Sequence, residues 1–388
     1  MFRRFAYSLG GVLPHHLTPL VRALYSASLL QNLALAMLLL FEPIYLWQLG
    51  YGVREILLFF LAVYVTYFAT MPLGAKFACR FGYERSMVLA SFIQVAYFTC
   101  LYLVVRSPWF LVPTVLLYAL QKTFYWPAYH ADFARYSDGA EEGRELSALS
   151  VASSLVYVVG PLLAGWILVV GSWAWLFGFG CLLLLLSNWP LVRTPEVFTP
   201  RVFPYAEAYR RLFSRVNRRL LLGYMGFGEE LIVLTLWPVF MAVVVVNYVE
   251  IGAVVAAATL VMAVATLYVG KLTDERNKEG ILRYSTVLYA LGWLVRTAVA
   301  TPWGVFLADA WSRLTKSVVS VPLTAITYER AKSRSIMDTV VSFEMSLVVG
   351  KVVAAVVLLG VLAVTPEAMM WQAAWLVAAA MTFLYTLL

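Results

Sequence analysis

Charged residues are scarce in this sequence of 388 residues, since Asp, Glu, Lys and Arg occupy only 13% of its positions. A soluble domain carries about 25%. Hydrophobic residues make up 62% of the chain, and the mean hydropathy is +0.81. This composition excludes an ordinary soluble enzyme and a disordered chain. Aromatic residues reach 15%, as expected where Trp and Tyr sit at two membrane–water interfaces. The composition therefore predicts an integral membrane protein.

Motifs for metal, ATP and hydrolytic chemistry are also lacking. The three cysteines, Cys79, Cys100 and Cys181, are scattered and form no CxxC pair, so we predict neither a disulfide framework nor a metal site. The sequence contains no GxxxxGK[ST] phosphate loop, HExxH or GxSxG, and these are the motifs of ATP-driven pumps and of several hydrolases. We therefore predict no enzymatic activity and no cofactor. His15, His16 and His130 have no ligand-like partner in the sequence and are expected to play no functional role.

Long apolar runs fill the chain. A spanning helix needs about 20 apolar residues, and runs such as 181–186 and 239–246 are continuous, whereas the strands of a membrane barrel alternate. The pattern predicts an all-α integral membrane protein with twelve transmembrane helices. The predicted spans are roughly 24–48, 54–75, 86–105, 109–129, 146–170, 173–192, 220–246, 250–270, 281–300, 303–327, 340–364 and 368–388.

Basic residues predict the orientation and the domain boundaries. With the N-terminus inside, 22 of the 29 Lys and Arg residues fall in inward segments, and the outward loops hold only Arg54 and Arg106. Positive charge stays on the cytoplasmic side, so we expect both termini to be cytoplasmic in a plasma or inner membrane, and no nucleic-acid partner. The longest break, 193–219, holds seven Arg residues. It predicts an N-terminal bundle (1–192), a basic linker (193–219) and a C-terminal bundle (220–388), in a monomer.

The two predicted bundles resemble each other. An offset of 195 residues aligns Pro43 with Pro238, Pro127 with Pro322, and Gly165 with Gly360. The same offset aligns Ala75 with Gly270 and Cys79 with Asp274. Several coincidences at one offset indicate parallel repeats related by an axis along the membrane normal. The halves should therefore superpose with residue 43 over 238 and residue 127 over 322.

Two loops and one helix carry a family resemblance. Residues 75–85, AKFACRFGYER, and 270–278, GKLTDERNK, resemble the GxxxDRxGR loop of the major facilitator superfamily. The first copy departs from the pattern at Ala75 and Cys79. Span five contains GPLLAG at 160–165, which is similar to the family's GPxxGG apart from Ala164. The resemblance implies loop residues that latch a gap between bundles, namely Arg80, Gly82, Arg85, Gly270, Asp274 and Arg276. It also implies helix-packing residues, namely Gly160, Pro161 and Gly165.

The resemblance implies two six-helix bundles around a cavity lined by spans one, four, seven and ten and open alternately to each side. Ionisable groups at membrane depth are costly and are candidates for function. We expect a substrate site made of Lys122, Arg313, Lys316, Gln121, Tyr125, Trp126 and Asn32. We expect the coupling proton on Glu229, Glu230, Asp309 or Glu42.

Structural interpretations compete with these roles. Asp309 and Arg313 stand four residues apart and can form a pair along one helix. Glu344 and Lys351, seven residues apart in span eleven, can form salt bridges between helices. Arg296, at the outer end of span nine, is expected to extend its charge to the interface.

The leading hypothesis is a secondary active transporter that moves a small anionic or zwitterionic solute by alternating access, with protons (or, within the family, sodium) as the coupling ion. Its partners are that solute and the lipid bilayer. One alternative is an exporter of amphipathic cations, held by the acids and by Tyr125, Trp126, Trp237 and Trp311. Another is a receptor or scaffold that transports nothing. Substrate-dependent flux separates the transporters from the scaffold.

Overall fold

The computed structural model describes residues 19–136, 140–192, 200–275, 278–332 and 335–388. Throughout these ranges the regular structure is helical, without strands. Seven helices precede the linker: α1 (Pro19–Leu38), α2 (Glu42–Gln48), α3 (Val53–Phe81), α4 (Tyr83–Leu103), α5 (Leu111–Tyr136), α6 (Ala140–Val170) and α7 (Trp173–Val192). Two lie in or next to the linker: α8 (Tyr205–Leu212) and α9 (Arg218–Tyr224). Six follow: α10 (Gly228–Val245), α11 (Tyr248–Glu275), α12 (Lys278–Arg296), α13 (Pro302–Lys332), α14 (Ile336–Val364) and α15 (Met370–Phe383).

These helices form the twelve membrane crossings predicted from the sequence. The first crossing consists of α1 and α2, which are separated by a break at 39–41, and Pro43 lies in the first turn of α2, where its missing N–H costs nothing. The seventh consists of α9, a 3₁₀ turn at Met225–Phe227 and α10. Seven crossings are long and apolar enough to span a membrane on composition alone. The least apolar long helices are α5, α12 and α13, and two of these carry buried lysines or acids that matter below.

The most extensive contacts between the N-terminal half (α1–α7) and the C-terminal half (α10–α15) are those of α6 with α11 and of α3 with α14. Glycines bring the first pair into backbone contact. A side chain at Gly165 would meet the Tyr248 carbonyl, and one at Gly252 would meet the Pro161 carbonyl. Gly160 lies against Ala36 of α1. Gly360, which the offset of 195 residues aligns with Gly165, has open space where its side chain would be. The two aligned glycines therefore do not make equivalent helix contacts.

One end of the bundle, which we call the far end, is closed. Helix α2 packs against α10 across the two halves. The ring of Phe41 lies 6.1 Å from that of Tyr248, and Trp173 lies 5.8 Å from the same ring. Arg54 donates to the Leu362 carbonyl at 2.5 Å. These contacts join the halves where α3 begins and α14 ends.

The opposite end, which we call the linker end, carries α8. Pro72 has no N–H, so the Phe68 carbonyl four residues earlier lacks its usual helical partner. Tyr209 of α8 donates its hydroxyl to the carbonyls of Phe68 and Ala69, both at 3.0 Å, and Tyr205 donates to Ala69 at 2.7 Å. The linker tyrosines therefore occupy the bend that the proline makes in α3.

Helix α8 also reaches the C-terminal half. Arg211 bonds Asp338 at the start of α14 at 2.6 Å and Glu207 at 3.3 Å. The hydrogen bond that Arg211 donates to Asp338 is the main reason that the pKa of Arg211 lies above its usual value. The linker helix thus touches both halves at the linker end.

Candidate functional site

Buried ionisable side chains form a chain of pairs through the centre of the bundle. Glu229, in the first turn of α10, is fully buried and forms an ion pair with Lys316 of α13. Tyr289 donates to the same carboxylate at 2.6 Å, and Tyr385 donates at 3.1 Å. Lys316 also donates to the Tyr385 hydroxyl at 2.8 Å. Four helical segments therefore meet at one carboxylate.

The next residue makes a second pair with another helix. Glu230 bonds Lys351 of α14 at 2.7 Å. The Lys351 ammonium lies 5.2 Å from the centre of the Tyr64 ring on α3. Lys122 of α5 approaches that ring at 5.7 Å and the Tyr118 ring at 4.0 Å. One tyrosine of the N-terminal half is therefore shared by two lysines from different halves.

Glu42 lies deep in the N-terminal half. It is 2% exposed, and its Oε1 atom has no hydrogen-bond partner among the described residues. Lys122 is close enough to act on it electrostatically. Its burial places Glu42 in the interior of the protein, where a charged carboxylate is costly without a partner.

Glu344 ties the halves together below these pairs. His130 of α5 approaches its Oε1 at 3.0 Å, and Tyr67 of α3 donates to its Oε2 at 3.1 Å. Both carboxylate oxygens on α14 are thus held by the N-terminal half. The expectation that His130 has no ligand-like partner is wrong, because its partner is 214 positions away in the sequence and only the fold brings the two together.

A cavity of about 610 Å³ opens at the linker end. Its inner wall includes Tyr224 and Phe343, whose rings pack edge to face at 4.9 Å. Phe343 also contacts the rings of Phe227 at 6.1 Å and His130 at 5.7 Å. Phe227 lies 4.5 Å from the Lys316 ammonium. The cavity and the Glu229–Lys316 pair therefore share this aromatic layer of Tyr224, Phe227 and Phe343. Hydroxyls of Ser335, Thr339, Ser342 and Ser346 on α14 line the cavity above it.

Asp309 and Arg313 form the pair along one helix that the sequence allows. Arg313 donates to Oδ2 of Asp309 at 2.6 Å, and Trp237 donates to Oδ1 at 2.9 Å. Arg296 does not extend to the interface as expected. It is 1% exposed, because its guanidinium lies against the rings of Trp237 and Trp293.

The remaining predicted binding residues lie apart from one another. Gln121 donates to Gln94 of α4 at 3.5 Å, and Asn32 donates to Ser153 of α6 at 3.0 Å. The rings of Tyr125 and Trp126 meet edge to face at 5.2 Å, and Trp126 stacks on His130 at 5.5 Å. Trp311 is 44% exposed, so it faces the surface of the bundle.

The loop residues are described only in part. Gly82 has a φ of 112°, a conformation that favours glycine, and it separates α3 from α4. Arg80 is exposed, lying over the Phe81 ring at 5.3 Å, and Arg85 is exposed in the first turn of α4. In the second copy, Gly270 and Asp274 belong to α11, and Asp274's side chain lies outside the described part of the structure, as does Arg276 altogether.

The structure thus brings Glu229, Glu230 and Lys316 together. The three basic residues predicted to form one substrate site have separate partners instead: Arg313 and Lys316 each bond a carboxylate, and Lys122 lies over tyrosine rings. The sequence analysis missed Tyr67, Tyr289 and Tyr385, which hold the carboxylates. Its structural interpretation of Glu344 and Lys351 is confirmed, because each bonds an ionisable side chain of another helix, Glu344 with His130 and Lys351 with Glu230. No cluster of three or more metal-ligating side chains occurs in the described ranges.

Twelve membrane crossings in two halves with buried ionisable side chains between them are typical of membrane transporters. A profile of the Major Facilitator Superfamily matches residues 24–334. The chain belongs to that superfamily.

Solved structures share the fold at low sequence identity. A D-xylose–proton symporter aligns with a TM-score of 0.68 at 12% identity, over 95% of this chain and 96% of its own. The human organic anion transporter MFSD10 (TETRAN) aligns with 0.63 at 15%, over 95% and 99%. The nucleoside transporter NupG, in a mutant form, aligns with 0.66 at 13%, over 95% and 98%. At these identities the likeness shows the fold alone. No curated protein matches the sequence.

Proposed function

We propose that this transporter is a proton-coupled secondary carrier for a small anionic or zwitterionic solute. The observation that carries the proposal is the pair of adjacent acids Glu229 and Glu230, each bonded to a lysine on a different helix, Lys316 on α13 and Lys351 on α14. Such pairs can exchange partners. A proton and an anionic group can enter the site together without changing its total charge.

The electrostatics support this exchange. Two opposite charges 4 Å apart attract by about 4 kcal/mol at the effective dielectric of partly exposed protein sites. Protonation of Glu229 removes that attraction and leaves Lys316 beside Tyr385, Tyr289 and Phe227, with Glu230 as a more distant carboxylate that is already bonded to Lys351. A carboxylate or phosphate on the solute then restores the lost attraction. Loading of the proton and of the anion therefore favour each other.

Access to the site alternates between the two ends. Helix α2 packs against α10 at the far end, and the linker-end cavity, which is lined by the linker and the C-terminal half, reaches the aromatic layer beside Lys316. In the proposal, the bundles 1–192 and 220–388 rock about the α6–α11 and α3–α14 seams, with 193–219 as the linker. The excess of Lys and Arg in the linker-end loops supports a cytoplasmic position for this end and for both termini.

The test begins with a ligand screen. Purified protein is screened by thermal shift against carboxylates, phosphate esters, sugars, nucleosides and amphipathic cations, with organic anions as the expected hits. Hits are then assayed for flux in proteoliposomes with an internal pH dye. We expect solute entry to acidify the lumen, and Glu229→Gln to abolish the pH dependence of flux. Glu367→Gln, at an exposed position in the far-end loop, should leave it intact. Undiminished proton movement in Glu229→Gln would remove the coupling role.

Export of amphipathic cations is the second candidate. Aromatic rings surround Lys316, and five carboxylates are buried or half-buried in the core, namely Glu42, Glu229, Glu230, Asp309 and Glu344. Replacing both Lys316 and Lys351 by Met separates the two functions. It should abolish flux of an anion and spare or raise flux of a cation.

A further inference from the structure

Arg296 occupies a cage of tryptophans in the C-terminal half. Its guanidinium carbon lies 3.9 Å from the ring centre of Trp237 and 4.0 Å from that of Trp293, with Trp375 at 6.0 Å. The three rings come from α10, α12 and α15. Trp293 and Trp375 stack at 5.8 Å. An arginine within this distance of aromatic faces is attracted to them, but rings do not neutralise its charge.

The carboxylates that act on Arg296 are hydrogen-bonded to other side chains. Asp309 and Glu229 act on it electrostatically, as does Arg313. However, both oxygens of Asp309 are occupied, Oδ2 by Arg313 and Oδ1 by Trp237. Glu229 is bonded to Lys316 and two tyrosines. One carboxylate therefore stands beside two guanidinium groups, and the cage carries one excess positive charge.

Hydrogen bonding shows the same deficit. The Nε and Nη1 atoms of Arg296 and the Nε1 atom of Trp293 are buried and have no partner among the described residues. An unsatisfied buried donor destabilises the structure, and more so when it is charged. All three groups are donors that cannot accept. A ligand that satisfies them must therefore supply acceptor atoms, and one that balances the charge must be an anion.

We propose that Arg296 and Trp293 bind a small monovalent anion inside the tryptophan cage. The anion is either a free halide or the carboxylate of a solute, since both offer the same acceptor chemistry. Arg296 and Trp293 belong to neither the Glu229–Lys316 nor the Glu230–Lys351 pair. Arg296 is the last residue of α12, at the far end, so exchange of the anion accompanies opening of that end.

Intrinsic fluorescence tests the proposal on the full-length protein, because three of its 13 tryptophans line the cage. Sodium bromide, sodium chloride or sodium acetate is titrated into detergent-purified protein, with sodium gluconate keeping the ionic strength constant. We expect saturable quenching by bromide and a saturable rise in melting temperature with the binding anion. A rise with chloride but not acetate identifies a halide site, and a rise with acetate identifies a carboxylate site.

Matched variants keep the test decisive. Arg296→Gln should weaken the anion affinity at least tenfold, and Trp293→Phe, which keeps a ring but loses one donor, should weaken it about 3- to 10-fold. Arg106→Gln, at an exposed far-end position, should change nothing. If Arg296→Gln does not fold, Trp293→Phe and Arg296→Lys still report a shifted affinity. Linear, unsaturable quenching in the unaltered protein, or an unchanged affinity in Trp293→Phe, would overturn the proposal.

Discussion

The bond between Tyr67 and Glu344 should set the balance between the closed and open linker end. Tyr67→Phe removes one hydroxyl and leaves the ring, at a position 2% exposed. The lost bond, 3.1 Å long, ends on a carboxylate in the other half. A hydrogen bond to a charged group contributes about 1.5–3 kcal/mol. If the bond exists only while the halves are together, its loss shifts the closed-to-open ratio by about 10- to 150-fold.

Tyr45→Phe is the matched control. Tyr45 is equally buried, at 2%, and its hydroxyl donates at 2.8 Å to the Tyr102 carbonyl within the N-terminal half. It should lower thermal stability by about 0.5–1.5 kcal/mol and leave the ratio unchanged. The assay is the distribution of distances between spin labels at the exposed positions Lys76 and Tyr284, in a background without the native cysteines.

The expected result is a longer-distance population that grows in Tyr67→Phe and not in Tyr45→Phe. Equal distributions in the unaltered protein and Tyr67→Phe would show that the bond does not resist separation of the halves. Equal shifts in both variants would show that a general loss of stability, and not the cross-half contact, opens the linker end.

Three further predictions concern other contacts between helices. Gly165→Ala should lower the free energy of unfolding by about 1–3 kcal/mol and slow transport, because the new methyl group meets the α11 backbone. The matching variant in the other half, Gly360→Ala, should change neither the melting temperature nor the flux. Lys351→Met and Glu230→Gln should each lower the free energy of unfolding by about 3 kcal/mol, which is the lower end of the range for buried pairs because the Glu230 side chain is 31% exposed. In a double-mutant cycle the double variant should lose less than the sum of the two single losses, and strict additivity would contradict the pairing. Arg211→Gln should weaken closure of the linker end by no more than about 1 kcal/mol, since its side chain is 43% exposed, and high salt should erase the difference; a larger, salt-independent effect would contradict this interpretation.

Most of the fold could be predicted from the sequence because the bilayer restricts what apolar runs can form. Runs of about 20 apolar residues become helices, and the observed helix ends lie within several residues of the predicted spans for most crossings. The break in the first crossing was missed, since nothing in the run around residues 39–41 differs in hydropathy. The superposition of residue 43 on 238 stays a prediction, and Pro43 begins α2 whereas Pro238 lies inside α10.

Pairing between distant residues could not be predicted. Periodicity tells which residues share a helix face, so Asp309 and Arg313 could be paired within one turn. It does not tell which helix lies opposite. The partners of Glu344 stand 214 and 277 positions away, and Arg296 could be placed at a helix end but not under the tryptophans of two other helices. The packing of helices that are distant in the sequence, and not local preference, decides these contacts.

The tyrosines on α8 have a consequence for dissection of the chain. Pro72 leaves the Phe68 carbonyl on α3 without its helical donor, and the Tyr209 hydroxyl of α8 donates to it instead. The N-terminal half therefore has a donor for this carbonyl only when α8 is attached. Two co-expressed fragments cut after Leu212 should therefore reassemble into a working carrier more efficiently than fragments cut just before Tyr205. Pro72 thus makes the linker helix α8 a structural part of the N-terminal half. A chimera that exchanges halves between relatives must therefore take residues 205–212 together with the N-terminal half.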